Sequence, residues 1–134
     1  MRFIIIIPLL FLLLTSCTRL FSEKKEKKNI ALLASTARII LEKDIKLFDR
    51  DTLSDMNLKN RLLQLNFSRI EISKTNHYYY PDSVVVFLRY GVPAAVLEVI
   101  YDYSKSNRAL DSKTNEFKKL SDRIYYRKTS WNIS

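Results

Sequence analysis

The chain has little of the chemistry that most catalytic and metal sites need. It holds one cysteine (Cys17), one histidine (His77) and one glycine (Gly91) in 134 residues. A lone histidine supplies neither a His-based zinc site nor an identifiable catalytic triad. A phosphate-binding loop needs more than one glycine, and no serine lies in the Gly-x-Ser-x-Gly pattern of hydrolases. The sequence therefore predicts a protein that is not an enzyme and that has no cofactor and no metal ion.

The single cysteine closes an N-terminal segment with the layout of a secretory signal peptide. Residues 1–17 read MRFIIIIPLLFLLLTSC, with a basic residue near the start, an apolar run from Phe3 to Leu14 and two small residues before Cys17. This layout is typical of signal peptides. A retained membrane anchor needs roughly 18–25 apolar residues, so the run is too short to span a bilayer.

The last four residues of this segment, Leu14-Thr15-Ser16-Cys17, resemble the lipobox of bacterial lipoproteins, whose pattern is an aliphatic residue, two small residues and a cysteine. The resemblance implies that residues 1–16 are removed and that Cys17 is lipidated, with palmitate as one of the attached acyl chains. It also implies a cell-envelope protein held to a membrane, facing the periplasm or the cell surface. Because Cys17 is the only cysteine, none is left for a disulfide, a metal thiolate or a nucleophile.

The rest of the chain is predicted to form one domain on a lipid-anchored stalk. Residues 17–29 include four lysines and two glutamates, which suits a solvated stalk or the frayed first turns of a helix. Residues 30–134 have the size of a single domain.

The charge balance indicates an anionic partner. Without Arg2, the 23 basic residues become 22 against 14 acidic ones, a net charge of +8. Nucleic acid is not expected outside the cytoplasm, so the candidates are a membrane with anionic head groups, an envelope protein or an anionic envelope polymer. The alternative is a solvated basic surface without a partner.

Two helices are predicted at the start of the domain. Apolar residues recur every three or four positions from Ile30 to Phe48, as in an amphipathic helix that covers a sheet. An interfacial membrane helix is the alternative. A second helix is predicted over Leu53–Asn66, with Thr52 as N-cap and Asp55 completing a weaker form of the capping box.

Beyond Asn66 the sequence changes to strand-like patterns. Gly91 is expected to supply a backbone angle that other residues avoid, in a turn between two strands. The predicted fold class is α+β, with one or two N-terminal helices packed on an antiparallel meander sheet of about four strands. Alternation and continuous apolar runs place the strands at Phe67–Ile72 (an outer strand), His77–Tyr80 (short and aromatic), Val84–Tyr90 (the central strand), Val96–Tyr103 and Arg123–Thr129.

Glu98 and Asp102 lie on one face of the predicted strand over Val96–Tyr103, where a pair of carboxylates could suggest acid–base catalysis. Four residues along a strand separate them by roughly 13 Å, too far for a glycosidase pair. We therefore interpret both as ordinary solvent-facing charges.

Tyrosines interleaved with arginines suggest a binding face. Its candidates are Tyr78, Tyr80, Arg89, Tyr125 and Arg127. Tyrosine and arginine are favoured at interfaces. The alternative is that most of these rings fill the core or cover strand faces, as is common in β-rich proteins.

Two functions follow from this sequence. The first is an uncharacterised envelope lipoprotein that is a non-catalytic binding or structural module and docks on another envelope protein or polymer through its sheet. The second is an immunity or inhibitor-type lipoprotein that binds and blocks a toxin or hydrolase.

Overall fold

The structure is a computed structural model that describes residues 23–43, 47–75, 80–91, 95–106, 108, 110 and 117–130. Cys17, His77 and Tyr78 lie outside these ranges, as does most of the predicted strand over His77–Tyr80. The described helices are α1 (Glu23–Lys28), α2 (Ile30–Glu42) and α3 (Met56–Leu65), with a 3-10 turn over Arg50–Thr52. The described strands are β1 (Leu47–Asp49), β2 (Arg69–Ser73), β3 (Val84–Gly91), β4 (Ala95–Asp102), β5 (Lys118–Ser121) and β6 (Ile124–Ser130).

The described strands form one open antiparallel sheet of six, in the order β1-β2-β3-β4-β6-β5. The α+β class with N-terminal helices is confirmed. The predicted number of about four strands is too low, because β1 and β5 have only 3 and 4 residues and show too little alternation to be recognised. The sheet is also not a simple meander, since the chain passes from β4 to the edge strand β5 and returns to pair β6 with β4.

Strand β3 lies in the interior of the sheet, as its continuous apolar run predicts. Its first six residues are all buried. Val85 and Phe87 belong to the core on the helix side, whereas Val86 and Leu88 belong to a smaller core on the other side. A strand covered on both faces has no need of polar residues at alternate positions.

The main core lies between the helices and one face of the sheet. Both helices bury a stripe of residues spaced three or four apart, which places one side of each helix on the sheet. Helix α2 contributes Leu33, Ala37 and Ile40, and α3 contributes Leu58, Leu62 and Leu65. Core packing of the first predicted helix is therefore confirmed.

Helix α2 ends at Glu42, so the predicted helix to Phe48 is too long. Phe48 belongs to β1, where it pairs with Ile70 of β2, and its side chain is still buried in the main core. The apolar spacing continues past the helix because both elements face the same core. Strand β2 is consequently flanked by β1 and β3 and is not the outer strand that was predicted.

Helix α3 is capped by Asp55, and the predicted N-cap at Thr52 is wrong. The Asp55 carboxylate accepts a hydrogen bond from the Leu58 backbone N–H at 3.1 Å. The Thr52 hydroxyl instead donates to the Asp49 carbonyl at 2.7 Å within the preceding 3-10 turn. Asn66 ends α3 with φ of 61°, in the left-handed region that asparagine tolerates.

Gly91 does not have the special backbone angle that was predicted. It is the last residue of β3, pairs with Ala95 of β4 and has no positive φ. Among the residues that the structure describes, the positive φ angles belong to Asn66, Ser83 and Arg123. The described helices include none long and apolar enough to cross a membrane.

The N-cap of α3 gives a first prediction. Replacing Asp55 by alanine should lower the free energy of unfolding by about 1 kcal/mol, because the Leu58 N–H loses its acceptor. Asp55→Asn should retain most of the stability, since the amide oxygen can still accept that bond. Asp51→Ala, at a side chain that is 79% exposed, is the control and should change stability by less than about 0.5 kcal/mol. Urea denaturation followed by circular dichroism measures all three, and equal losses for Asp55→Ala and Asp51→Ala would contradict the prediction.

Candidate functional site

The predicted binding-face residues are divided between the two sides of the sheet. Tyr80, Tyr125 and Arg127 lie on the side away from the helices, whereas Arg89 lies on the helix side. Tyr125 and Arg89 are buried, with 5% and 7% of their surface exposed. Tyr78 lies outside the described residues. The described members therefore do not form one exposed surface, and their role in binding stays a prediction.

Arg127 organises a cluster on the face away from the helices. It stands opposite Glu98 in the β4–β6 register, and its Nη2 lies 2.7 Å from Glu98 Oε2. Its guanidinium carbon lies 4.4 Å from the centre of the Phe117 ring and 5.6 Å from that of Tyr80. The side chains of Arg127 and Glu98 are only 11% and 9% exposed. Ring contacts and the carboxylate together fix the guanidinium in one position.

Tyr80 is held in its neutral form by this cluster. Burial raises its pKa above the ordinary tyrosine value, and the neighbouring Glu98 carboxylate raises it further. Both effects disfavour the phenolate, so Tyr80 keeps its hydroxyl proton at neutral pH. The hydroxyl forms a hydrogen bond with the Glu98 carboxylate.

A second cluster joins the loops at the end of the sheet where β3 begins. Arg108 Nε lies 3.1 Å from Asp102 Oδ2, and Arg108 Nη1 lies 3.0 Å from Asp82 Oδ1. The Ser104 N–H donates to Asp102 Oδ1 at 2.9 Å. Arg123 Nη1 donates to the Ser104 carbonyl at 2.8 Å. These bonds fasten the segment after β4 to the segment before β3.

Glu98 and Asp102 are not solvent-facing, contrary to the prediction. Taken as whole residues, Glu98 is 7% exposed and Asp102 is 1% exposed. Leu110 and Phe117 belong to the smaller core that covers this face of the sheet. Burying a carboxylate requires a partner, and each acid has a different arginine. The two carboxylates thus serve separate ion pairs and do not form an acid–base pair.

Arg89 forms a third buried pair, on the helix side. Its Nη1 lies 2.6 Å from Glu26 Oε1, within the segment predicted as a stalk. Its Nη2 and Nε donate to the carbonyls of Leu65 and Asn66 at 2.7 and 2.9 Å. Its guanidinium carbon lies 4.6 Å from the centre of the Phe67 ring. Residues Glu23–Lys28 are helical, which is one of the two alternatives that the sequence left open.

No group of three or more His, Cys, Asp or Glu side chains among the described residues could hold a metal ion. Sequence reasoning missed the partners Glu26 and Arg108. A partial signal existed for the acids of β4, because Glu98 and Asp102 share their strand face with the apolar Val96 and Ile100.

The Arg89–Glu26 pair gives a second prediction. Arg89→Met should lower the free energy of unfolding by about 3–5 kcal/mol, because it leaves the Glu26 carboxylate buried without its cation. The double variant Arg89→Met/Glu26→Met should recover part of that loss, since no unpaired charge remains. Arg38→Met, at an exposed arginine of α2, is the control and should have little effect. Urea denaturation measures the free energy of unfolding of each variant. If Arg89→Met lowers it no more than Arg38→Met does, the Arg89–Glu26 pair does not stabilise the fold as proposed.

The Asp102 pair gives a third prediction, on pH. Burial raises the pKa of Asp102, but hydrogen bonds from Arg108 and Ser104 outweigh it, so the pKa lies below its usual value. Such a carboxyl stabilises the fold above its unfolded pKa of about 3.9, and the contribution is lost as pH falls through the lower folded value.

The free energy of unfolding should therefore fall less steeply from about pH 5 to about pH 2 in Asp102→Asn than in the wild type. Arg108→Gln should reduce the slope in the same way, because it removes the cation that lowers the pKa. Urea denaturation at a series of pH values measures the slopes. If both variants have the wild-type slope, Asp102 does not contribute to the pH dependence.

No protein-family model, curated protein or solved structure gives a significant match to this chain.

Proposed function

We propose that the protein is a lipid-anchored lipoprotein of the bacterial cell envelope and serves there as a non-catalytic binding or structural module. The observation that carries the proposal is the sequence Leu14-Thr15-Ser16-Cys17 directly after an apolar run with a basic start. A lipid on Cys17 places the domain at a membrane surface. Another envelope protein or an anionic envelope polymer is then the natural partner.

The distance along the chain from Cys17 to the folded domain supports this arrangement. Helix α1 starts at Glu23, six residues after Cys17, and Glu26 is joined to Arg89 of β3. Six residues span about 21 Å at most, even when fully extended. A lipid on Cys17 would therefore keep the domain close to the bilayer, where its contacts are made.

The buried acids support a role without catalysis. Glu26, Glu98 and Asp102 are each committed to an arginine by a direct ion pair. Their charges are used to hold elements of the fold together. If protein captured from membranes instead brought with it a toxin or secreted hydrolase that it inhibits, the immunity-type function would replace the present proposal.

The anchor gives a fourth prediction. Cells fed an alkyne analogue of palmitate should label the wild-type protein but not Cys17→Ala, because the thiol that receives the lipid is missing. Ser16→Ala is the matched control, since it keeps a small residue before the cysteine and should be labelled normally. Mass spectrometry should find a modified Cys17 at the N-terminus of the mature wild-type protein. Label on Cys17→Ala equal to that on the wild type would show that the lipobox interpretation is wrong.

A further inference from the structure

We propose that lysines of α1, together with Lys118 of the adjacent edge strand β5, form a surface that docks on anionic phospholipid head groups. This lysine face consists of Lys24, Lys25 and Lys28 of α1 and Lys118 of β5, and all four are exposed. The inference rests on the proposed lipid anchor and goes beyond it, because it names the side of the domain that meets the membrane.

The orientation of α1 follows from Glu26. That side chain is only 5% exposed and is paired with Arg89 beneath the helix. Successive residues of an α-helix are turned by about 100°, so residues two positions before and after Glu26 lie about 160° around the helix from it. Lys24 and Lys28 hold those positions and are exposed. Lys25, which directly precedes Glu26, is exposed as well.

Strand β5 extends the lysine face. It is the last strand of the sheet order, so only β6 flanks it, and it lies in contact with α1. Lys118 is exposed and stands opposite Tyr126, which belongs to the helix-side core, so it lies on the same side of the sheet as α1. Leu120 is buried in that core and holds the strand in place. Glu26 of α1 is paired with Arg89 and so does not offset the charge of the exposed lysines.

The position of the lysine face favours a membrane over a soluble acidic polymer. The face begins at Lys24, seven residues after Cys17, so a lipid on that cysteine keeps these lysines near the head groups. Each lysine near an anionic bilayer multiplies the docked population about fivefold, and the effect reaches only about one Debye length. Binding of a soluble polymer would not depend on how close the lysines lie to the anchor.

The fifth prediction tests docking directly on the lipidated, full protein. The protein is anchored by its lipid in vesicles of phosphatidylcholine alone or of phosphatidylcholine with phosphatidylglycerol. A brief pulse of a water-soluble amine reagent then reports the accessibility of each lysine by mass spectrometry. Lys24, Lys28 and Lys118 should react more slowly in the anionic vesicles, and high salt should abolish the difference. Lys105, an exposed lysine beyond β4, should react equally in both.

Matched variants separate the lysine face from net charge. Lys24→Gln/Lys28→Gln should reduce the ratio of docked to undocked protein about 25-fold, so the protection of Lys118 falls. Lys74→Gln/Lys105→Gln removes the same charge from two exposed lysines that follow β2 and β4, and it should leave the protection of Lys118 unchanged.

The outcomes distinguish this inference from the proposed function. If Cys17 carries no lipid, the proposed function fails whatever the lysines do. If Cys17 is lipidated and the lysines react equally in both vesicles, only the docking surface is refuted. The docking surface is also refuted if the lysines are protected on neutral vesicles once a soluble polyanion is added. The same holds if the two double variants give equal protection of Lys118.

Discussion

The Arg89 guanidinium joins two parts of the chain, α1 and the end of α3, to an interior strand of the sheet. It neutralises Glu26 of α1, donates hydrogen bonds to the carbonyls of Leu65 and Asn66 at the C-terminal end of α3, and lies against the Phe67 ring. A buried charge is tolerated only when it is paired and hydrogen-bonded, so these contacts depend on one another. The outward direction of the α1 lysines follows from the same pair, because Glu26 fixes which side of the helix faces the sheet.

The same constraint explains the register between β4 and β6. Glu98 and Arg127 stand opposite each other on a covered face. A shift of one residue would turn Arg127 toward the helix-side core and leave Glu98 buried without a cation, which is costly. Strand β5 interrupts the chain between these two strands, so no short turn sets their register. The ion pair supplies a preference for one register that apolar side chains alone would not provide.

The parts of the fold that were predictable from sequence are those set by periodicity. The apolar run of β3 and the helical stripes appear as expected, because each depends on which face an element buries. Strand β4 forms close to the predicted residues, but both of its faces are covered. The end of α2 was not predictable, since Phe48 continues the stripe from a different element. The acids of β4 were misjudged because their partners Arg108 and Arg127 are brought to them only by the folded structure. Of the candidate face, Arg127 and Tyr80 do come together, whereas Arg89 shares the strand parity of Val85 and Phe87 and so lies on the opposite side.

Arginine and lysine have different places in this domain, and the difference connects the fold to the proposed membrane surface. The buried carboxylates of Glu26, Glu98 and Asp102 are paired with arginines, whose planar guanidinium donates several bonds at once. The lysines of α1 and β5 are exposed instead. The three interior pairs cancel, so the charges of Arg89, Arg108 and Arg127 add little to the basic surplus of the surface. The lysines of α1, the first helix among the described residues, put part of that surplus where a lipid on Cys17 would bring an anionic surface within about one Debye length.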